Sequence, residues 1–99
     1  MPPDARPYRL SPLAEIDLEE IWLYTLKNWS LDQAERYHGQ IMTAIEGLAA
    51  GVKTGRPVTI RAGYFKDPVG SHFVFYRQSV ASLDVIRILH KRMDVGAHL

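Results

Sequence analysis

The apolar residues of this 99-residue chain change their spacing once, and the change falls at the loop-forming stretch Lys53-Thr54-Gly55-Arg56-Pro57. Before it they recur at three- and four-residue steps, the spacing of helices with one buried stripe. Beyond it they alternate or form short β-branched and aromatic runs, the spacing of strands. Helices gathered in one half and strands in the other are not the alternating units of a parallel α/β sheet. They predict an α+β sandwich in which a few helices cover one sheet.

Local signals divide each half into elements. Tyr8-Arg9-Leu10 reads as a short extended segment, and Ser11-Pro12 as an N-cap followed by proline at the first helical position. The helix that follows carries Leu18, Ile21, Trp22, Leu26 and Trp29 at helical spacing and is expected to end near Asn28. Ser30 and Gln33 then form a capping-box pattern, and Ala34, Tyr37, Ile41, Ala44, Ile45 and Leu48 keep one face apolar up to Gly51. So short a connection makes the two helices an antiparallel hairpin. Three strands are expected after the loop: Thr59 to Lys66, Ser71 to Gln78 and Leu83 to His90, with turns at Asp67-Pro68-Val69-Gly70 and Ser79-Val80-Ala81-Ser82. The predicted order is β-α-α-β-β-β: an antiparallel helical hairpin packed on one face of a small four-stranded, mainly antiparallel sheet. One domain spans 1–99, with a proline-rich lead-in over 1–7 and a short tail over 91–99.

Composition removes several functions. With no cysteine there is no thiol nucleophile, iron–sulfur ligation or thiolate zinc site. No apolar run approaches the roughly 18–20 residues that cross a bilayer, and the start of the chain lacks the apolar core of a signal peptide, so a soluble cytoplasmic protein without membrane partners is expected. Net charge is +1, but it is unevenly shared. Residues 1–50 carry four basic and eight acidic side chains, a net −4, whereas residues 51–99 carry eight basic and three acidic, a net +5. A basic half of this kind suits an acidic or polyanionic partner, and equally suits two layers of opposite charge packed together.

No complete catalytic constellation is present. The serines are explained by caps and turns, and no phosphate-binding glycine loop precedes a helix. Arg61, Arg77 and Arg87 lie on strand candidates, with Arg77 on the Phe73 and Phe75 side and Arg87 on the Val85 and Leu89 side; gathered on one face they could clamp a phosphate or carboxylate. His72 and His90 also lie in strands, where a ring donating to a backbone carbonyl competes with an acid–base role. His90, Asp94 and His98 have the i, i+4, i+8 spacing of a metal triad, but the helix this needs is interrupted by the strand ending at His90 and by Gly96; no metal and no cofactor are expected. Trp22 and Trp29, seven residues apart, share a side with Leu18 and Leu26, as a core stripe does and as a groove for a partner's amphipathic helix also does.

Several strings, taken together, resemble the ParE branch of the ParE/RelE superfamily of bacterial toxins: Tyr8-Arg9-Leu10-Ser11-Pro12 with Asp17-Leu18 and Ile21-Trp22, Arg61-Ala62-Gly63-Tyr64, Gly70 through Arg77, and Val85 through His90 to Met93-Asp94 and His98-Leu99. The likeness runs through nearly the whole chain. It implies a fold of the kind derived above and a toxin that traps DNA gyrase with cleaved DNA. It also implies neutralisation by a ParD-like antitoxin, whose ribbon-helix-helix part contacts operator DNA and whose C-terminal segment wraps the toxin. RelE-like relatives instead cut messenger RNA on the ribosome; on that reading Arg61, Arg77, Arg87 and His90 would supply cations and a proton carrier. A net charge of only +1 fits a ribosome-binding nuclease poorly and favours the non-enzymatic reading. The expected antitoxin surface is Leu18, Trp22, Leu26, Trp29, Tyr37 and Ile41. The expected target surface is Arg61, Arg77, Arg87, Lys91 and Arg92, with Asp94 and His98 from the tail.

Overall fold

The computed structural model describes residues 6–99. Its elements are β1 (Tyr8–Leu10), α1 (Pro12–Asn28), α2 (Leu31–Ala49), β2 (Arg56–Pro57), β3 (Phe65–Val69), β4 (His72–Gln78), β5 (Leu83–His90) and α3 (Val95–His98). The helix boundaries follow their capping chemistry. Ser11 Oγ accepts from Ala14 N, Ser30 Oγ accepts from Gln33 N, and Gly51 leaves α2 at a φ of +75°. Helix α2 has no basic residue in its last turn. Arg6, from the lead-in, supplies one: its guanidinium reaches the carbonyls of Leu48 at 3.3 Å and Ala49 at 3.5 Å, where the helix dipole favours a cation.

The sheet has five strands in the order β1-β5-β4-β3-β2, with β1 parallel to β5 and every other pair antiparallel. The expected four strands therefore gain β2, two residues long, which pairs with Phe65 and Lys66. The strand expected over Thr59 to Lys66 is also displaced. Residues 59–64 form turns, and Asp67-Pro68-Val69, expected to be the turn, belong to β3. Pro68 fits because the pairing of β3 with β2 stops at Lys66, which leaves β3 an edge strand where the proline N–H is missing. The real turn is Gly70-Ser71, a two-residue hairpin loop with positive φ only at its first position, the type II′ signature.

Two clusters fill the interior. The larger lies between the helical hairpin and the sheet, around Ile41, Ile45, Leu48, Val74, Tyr76, Leu83, Val85 and Ile88. The smaller covers the opposite face, where Phe75 and Leu89 pack beneath Val58 and Tyr64 of the preceding loop and Val95 and Leu99 of the C-terminal segment. Apolar residues on both strand faces thus have two separate covers. A bulge at the Phe75/Tyr76 step shifts the β4–β5 register: Tyr76 pairs with Val85 but Phe75 with Arg87, leaving Ile86 as the extra residue. Past the bulge, Val74 opposes Ile88 on the helix side and Phe73 opposes Leu89 on the outer side.

Candidate functional site

Between the second half of α1, the first half of α2, the β3–β4 turn and the end of β5 lies a groove of about 840 Å³. Ile21, Tyr24 and Trp29 form one wall, Tyr37 and the turn another, and His72, His90 and Met93 close the end. Tyr24 and Trp29 are 65% and 75% exposed, so the apolar wall is largely uncovered.

Gly70 makes this corner possible. A Cβ there would sit 2.6 Å from Tyr37 Cε1, so only glycine lets the ring lie against the turn, and its φ of +54° also disfavours any side chain. The Tyr37 hydroxyl meets three partners: it donates to Val69 O at 2.9 Å, accepts from Ser71 N at 3.1 Å, and lies 2.6 Å from His72 Nδ1. Burial raises the phenol's pKa above its ordinary value. Burial also pushes His72 down from 6.5 to about 4, assisted by repulsion from His90 and opposed by Asp17. The two imidazoles are register partners on β4 and β5 and stand edge to face, 5.2 Å between centroids. Without the bulge, His72 would face Leu89; the extra residue in β5 brings His90 opposite instead.

Beside the groove, Asp17 and Arg87 form a buried ion pair, 9% and 15% exposed. Arg87 Nε donates to Asp17 Oδ2 and Nη2 to Oδ1, both at 2.8 Å, and Asp17 Oδ2 also accepts from Ile88 N at 3.0 Å. β1 pairs with β5 only over Leu83, Asp84 and Val85, so beyond Val85 the edge of β5 is open and the carboxylate satisfies its backbone. Arg87 was expected on the target surface. Its guanidinium is instead spent inside the protein, which corrects that expectation: the side chain holds α1 to β5 and reaches the His98 carbonyl at 3.4 Å.

The remaining expected cations lie on the outer sheet face and the tail. Arg61 and Arg77 flank the Tyr64 ring, 4.7 and 5.3 Å from its centroid, while Lys66 and Lys91 flank Phe73 at 4.6 and 5.3 Å. Arg61 stands in the 59–64 turns rather than on a strand, and it donates to the carbonyl of Leu99. Arg77, Lys91 and Arg92 are exposed, and among the described residues none of them forms an ion pair. Asp94 caps α3 by accepting from Gly96 N, and His98 ends that helix. His90, Asp94 and His98 therefore share no helix face, and among the described residues no three such side chains are placed to hold a metal ion.

The six residues expected to form one antitoxin groove do not line one hollow. Ile41 is fully buried and Leu18 nearly so. Trp22 belongs with Leu10, Leu18 and His38 to a second, smaller hollow, while Trp29 and Tyr37 line the large groove. Leu26 is exposed between them. Helical wheels placed the tryptophans together because their 700° separation nearly closes two turns, but the sheet meets α1 along Ala14, Asp17, Leu18, Ile21 and Thr25. The histidine corner was missed. A tyrosine on the apolar stripe of α2 was its one sequence signal, since a buried hydroxyl needs partners.

Solved structures place this architecture in a class. The fold is shared with a chain of the chromosomal ParDE TA system from P. aeruginosa, with a TM-score of 0.76 at 16% identity, over 88% of this chain and 97% of that one. It also matches a chain of the toxin–antitoxin complex RelBE2 from Mycobacterium tuberculosis with a TM-score of 0.63 at 17% identity, over 90% and 94%. Sequence narrows the class. Residues 8–95 match the model for the ParE toxin of the type II toxin–antitoxin system parDE, and the chain belongs to that family. Toxin ParE1 of Mycobacterium tuberculosis is 47% identical over 94 residues, 93% of this chain and 96% of that protein. Toxin ParE1 of Caulobacter vibrioides is 42% identical over 95 residues, 95% and 98% of the two chains.

Proposed function

We propose that this toxin acts by occupying partners rather than by catalysis: a ParD-like antitoxin holds it inactive, and the freed toxin binds DNA gyrase, stalling it on cleaved DNA. The observation that carries this reading is the separation of its two surfaces. The apolar groove, with Asp17 and Glu20 on its α1 side, opens on the helix side, whereas Arg77, Lys66 and Lys91 crowd the outer sheet face. The groove suits an antitoxin segment, and the basic face with Arg92 suits an acidic or DNA-bearing target. Operator DNA would be contacted only through the antitoxin's ribbon-helix-helix part.

The same separation speaks against a RelE-like nuclease. Cleaving RNA needs a proton carrier and cations converging on one phosphate. Here His72 and His90 face the groove, Arg87 is bound to Asp17, and the free cations stand on the far side of the sheet. The test combines the protein with gyrase, supercoiled DNA and ATP, and in parallel with a translating ribosome mix. Accumulation of cleaved DNA is the expected result; codon-positioned cuts in the message with intact DNA would overturn it. Charge reversal at Arg77 and Lys91 together should abolish growth arrest while leaving the antitoxin complex intact. Undiminished arrest would remove the basic face from the target surface.

A further inference from the structure

The Tyr37 hydroxyl decides the protonation of the groove's end. A phenol has one proton to give and two lone pairs to offer. Val69 O can only accept, so it takes the proton; Ser71 N can only donate, so it fills one lone pair. The remaining contact, to His72 Nδ1 at 2.6 Å, is satisfied when Nδ1 carries a hydrogen and donates to the phenol oxygen. Neutral His72 then has a bare lone pair on Nε2. The opposite holds for His90: its Nδ1 accepts from Arg92 N at 3.1 Å, so in the neutral ring the hydrogen is on Nε2. Among the described residues neither Nε2 has a hydrogen-bond partner and no buried side-chain nitrogen or oxygen lacks one, so both atoms are open to solvent.

We infer that His72 and His90 form a paired acceptor and donor at the end of the groove that receives the side-chain carboxamide of an asparagine or glutamine from the antitoxin, the amide N–H going to His72 Nε2 and the amide oxygen to His90 Nε2–H. This rests on the groove being the antitoxin's seat. An acceptor beside a donor is the complement of a carboxamide, whose N–H and C=O lie side by side. A carboxylate offers no hydrogen to His72, and an ammonium offers no lone pair to His90. The rings, 5.2 Å apart and edge to face, are near enough for one amide to meet both. The rest of the groove sets what flanks that residue. Ile21, Tyr24, Trp29 and Met93 call for apolar neighbours, and Glu20, exposed and without an ion pair among the described residues, calls for a lysine or arginine. The low pKa of His72 keeps it an acceptor across the neutral range.

The experiment uses histidine-15N-labelled toxin, alone and in the complex co-purified with the antitoxin of its own operon. In the free toxin at pH 8, long-range nitrogen–proton spectra are expected to show His72 hydrogen-bearing at Nδ1 and His90 at Nε2. In the complex the bare His72 Nε2 resonance should move upfield by several ppm as it accepts a hydrogen bond. His72→Phe should weaken the complex tenfold or more, with the melting temperature of the free variant showing that the fold survives. The reverse tautomers, or a complex that leaves the His72 Nε2 resonance where it was, would overturn the inference. Tyr24→Arg separates this from failure of the underlying reading. Full binding by that variant overturns the groove as the antitoxin's seat and the carboxamide pair with it. Lost binding by Tyr24→Arg, with the wild-type His72 signal unmoved in the complex, overturns the carboxamide pair alone.

Discussion

Replacing Asp17 by alanine is the sharpest test of how α1 is fixed to the sheet. The carboxylate accepts three hydrogen bonds, two from Arg87 and one from Ile88 N, at 2.8 to 3.0 Å, in a site where the partners are 9% and 15% exposed. Alanine leaves a largely buried guanidinium without a counter-charge and a backbone N–H of β5 without an acceptor. Breaking a buried pair from one side costs about 3–5 kcal/mol. In a domain near 100 residues each kcal/mol lowers Tm by about 4–8 °C, so the variant should melt about 12–40 °C below the parent. Urea denaturation monitored by tryptophan fluorescence should show the same loss with an unchanged slope. Asp17→Leu combined with Arg87→Met should recover most of it, since the cost arises from the orphaned charge rather than from absence of the pair. A single variant within about 1 kcal/mol of the parent, or a double variant worse than either single one, would refute the reasoning. It follows that Arg87→Glu reports on folding and is unsuitable for mapping the target surface.

Three further outcomes are expected. Tyr37→Phe removes a hydroxyl with three partners and should cost about 1–3 kcal/mol in denaturant titration; an unchanged midpoint would contradict the proposed hydrogen-bond count. Gly55→Ala places a Cβ 2.6 Å from both Lys66 O and Tyr76 Oη, and overpacking of this kind costs about 1–3 kcal/mol, to be read as a lowered Tm against the parent. Acidification should destabilise the fold through His72. Its folded pKa lies below its unfolded value, so the unfolded chain takes up the proton first, and stability present above pH 6.5 is lost as pH falls toward about 4. Asp17 of α1, Tyr37 of α2 and His90 of β5 all face this ring. Because the ring is only half-buried, about 1–2 kcal/mol is expected between pH 7 and 4.5, and His72→Phe should flatten that slope; equal slopes would exclude His72 as the source.

The parts of this fold legible in the sequence are those whose cause is local. Ser11-Pro12, Ser30 with Gln33 and Gly51 marked helix ends because capping is decided within a few residues, and Leu83 to His90 stood out as a strand by Val85, Ile86, Ile88 and Leu89, apolar and mostly β-branched on both faces. Pro68 misled because Asp-Pro with a glycine two residues further on is usual turn chemistry, whereas here the missing N–H lies on a strand edge that only the pairing of β2 reveals. The fate of Arg87 was hidden because its partner is 70 residues away. The histidine pair was hidden by one extra residue in β5, which alternation cannot register and which exchanges the partners of every residue beyond it. Two of the expected cations, Arg61 and Arg87, proved to grip carbonyls of the C-terminal segment, a use that side-chain type alone does not foretell.

The parallel pairing of β1 with β5 also governs when the molecule is finished. Ser11 and Ile86, joined by a hydrogen bond, are 75 positions apart, and α1 is tied to β5 by Asp17 across nearly the same distance. During synthesis the helical hairpin leaves the ribosome before β4 and β5 and waits with its sheet-facing stripe uncovered until they follow. A nascent chain therefore has neither the groove's histidine end nor the closed sheet. The groove is complete only once β5 has been made, and until then any apolar surface that meets the bare hairpin competes with β5 itself.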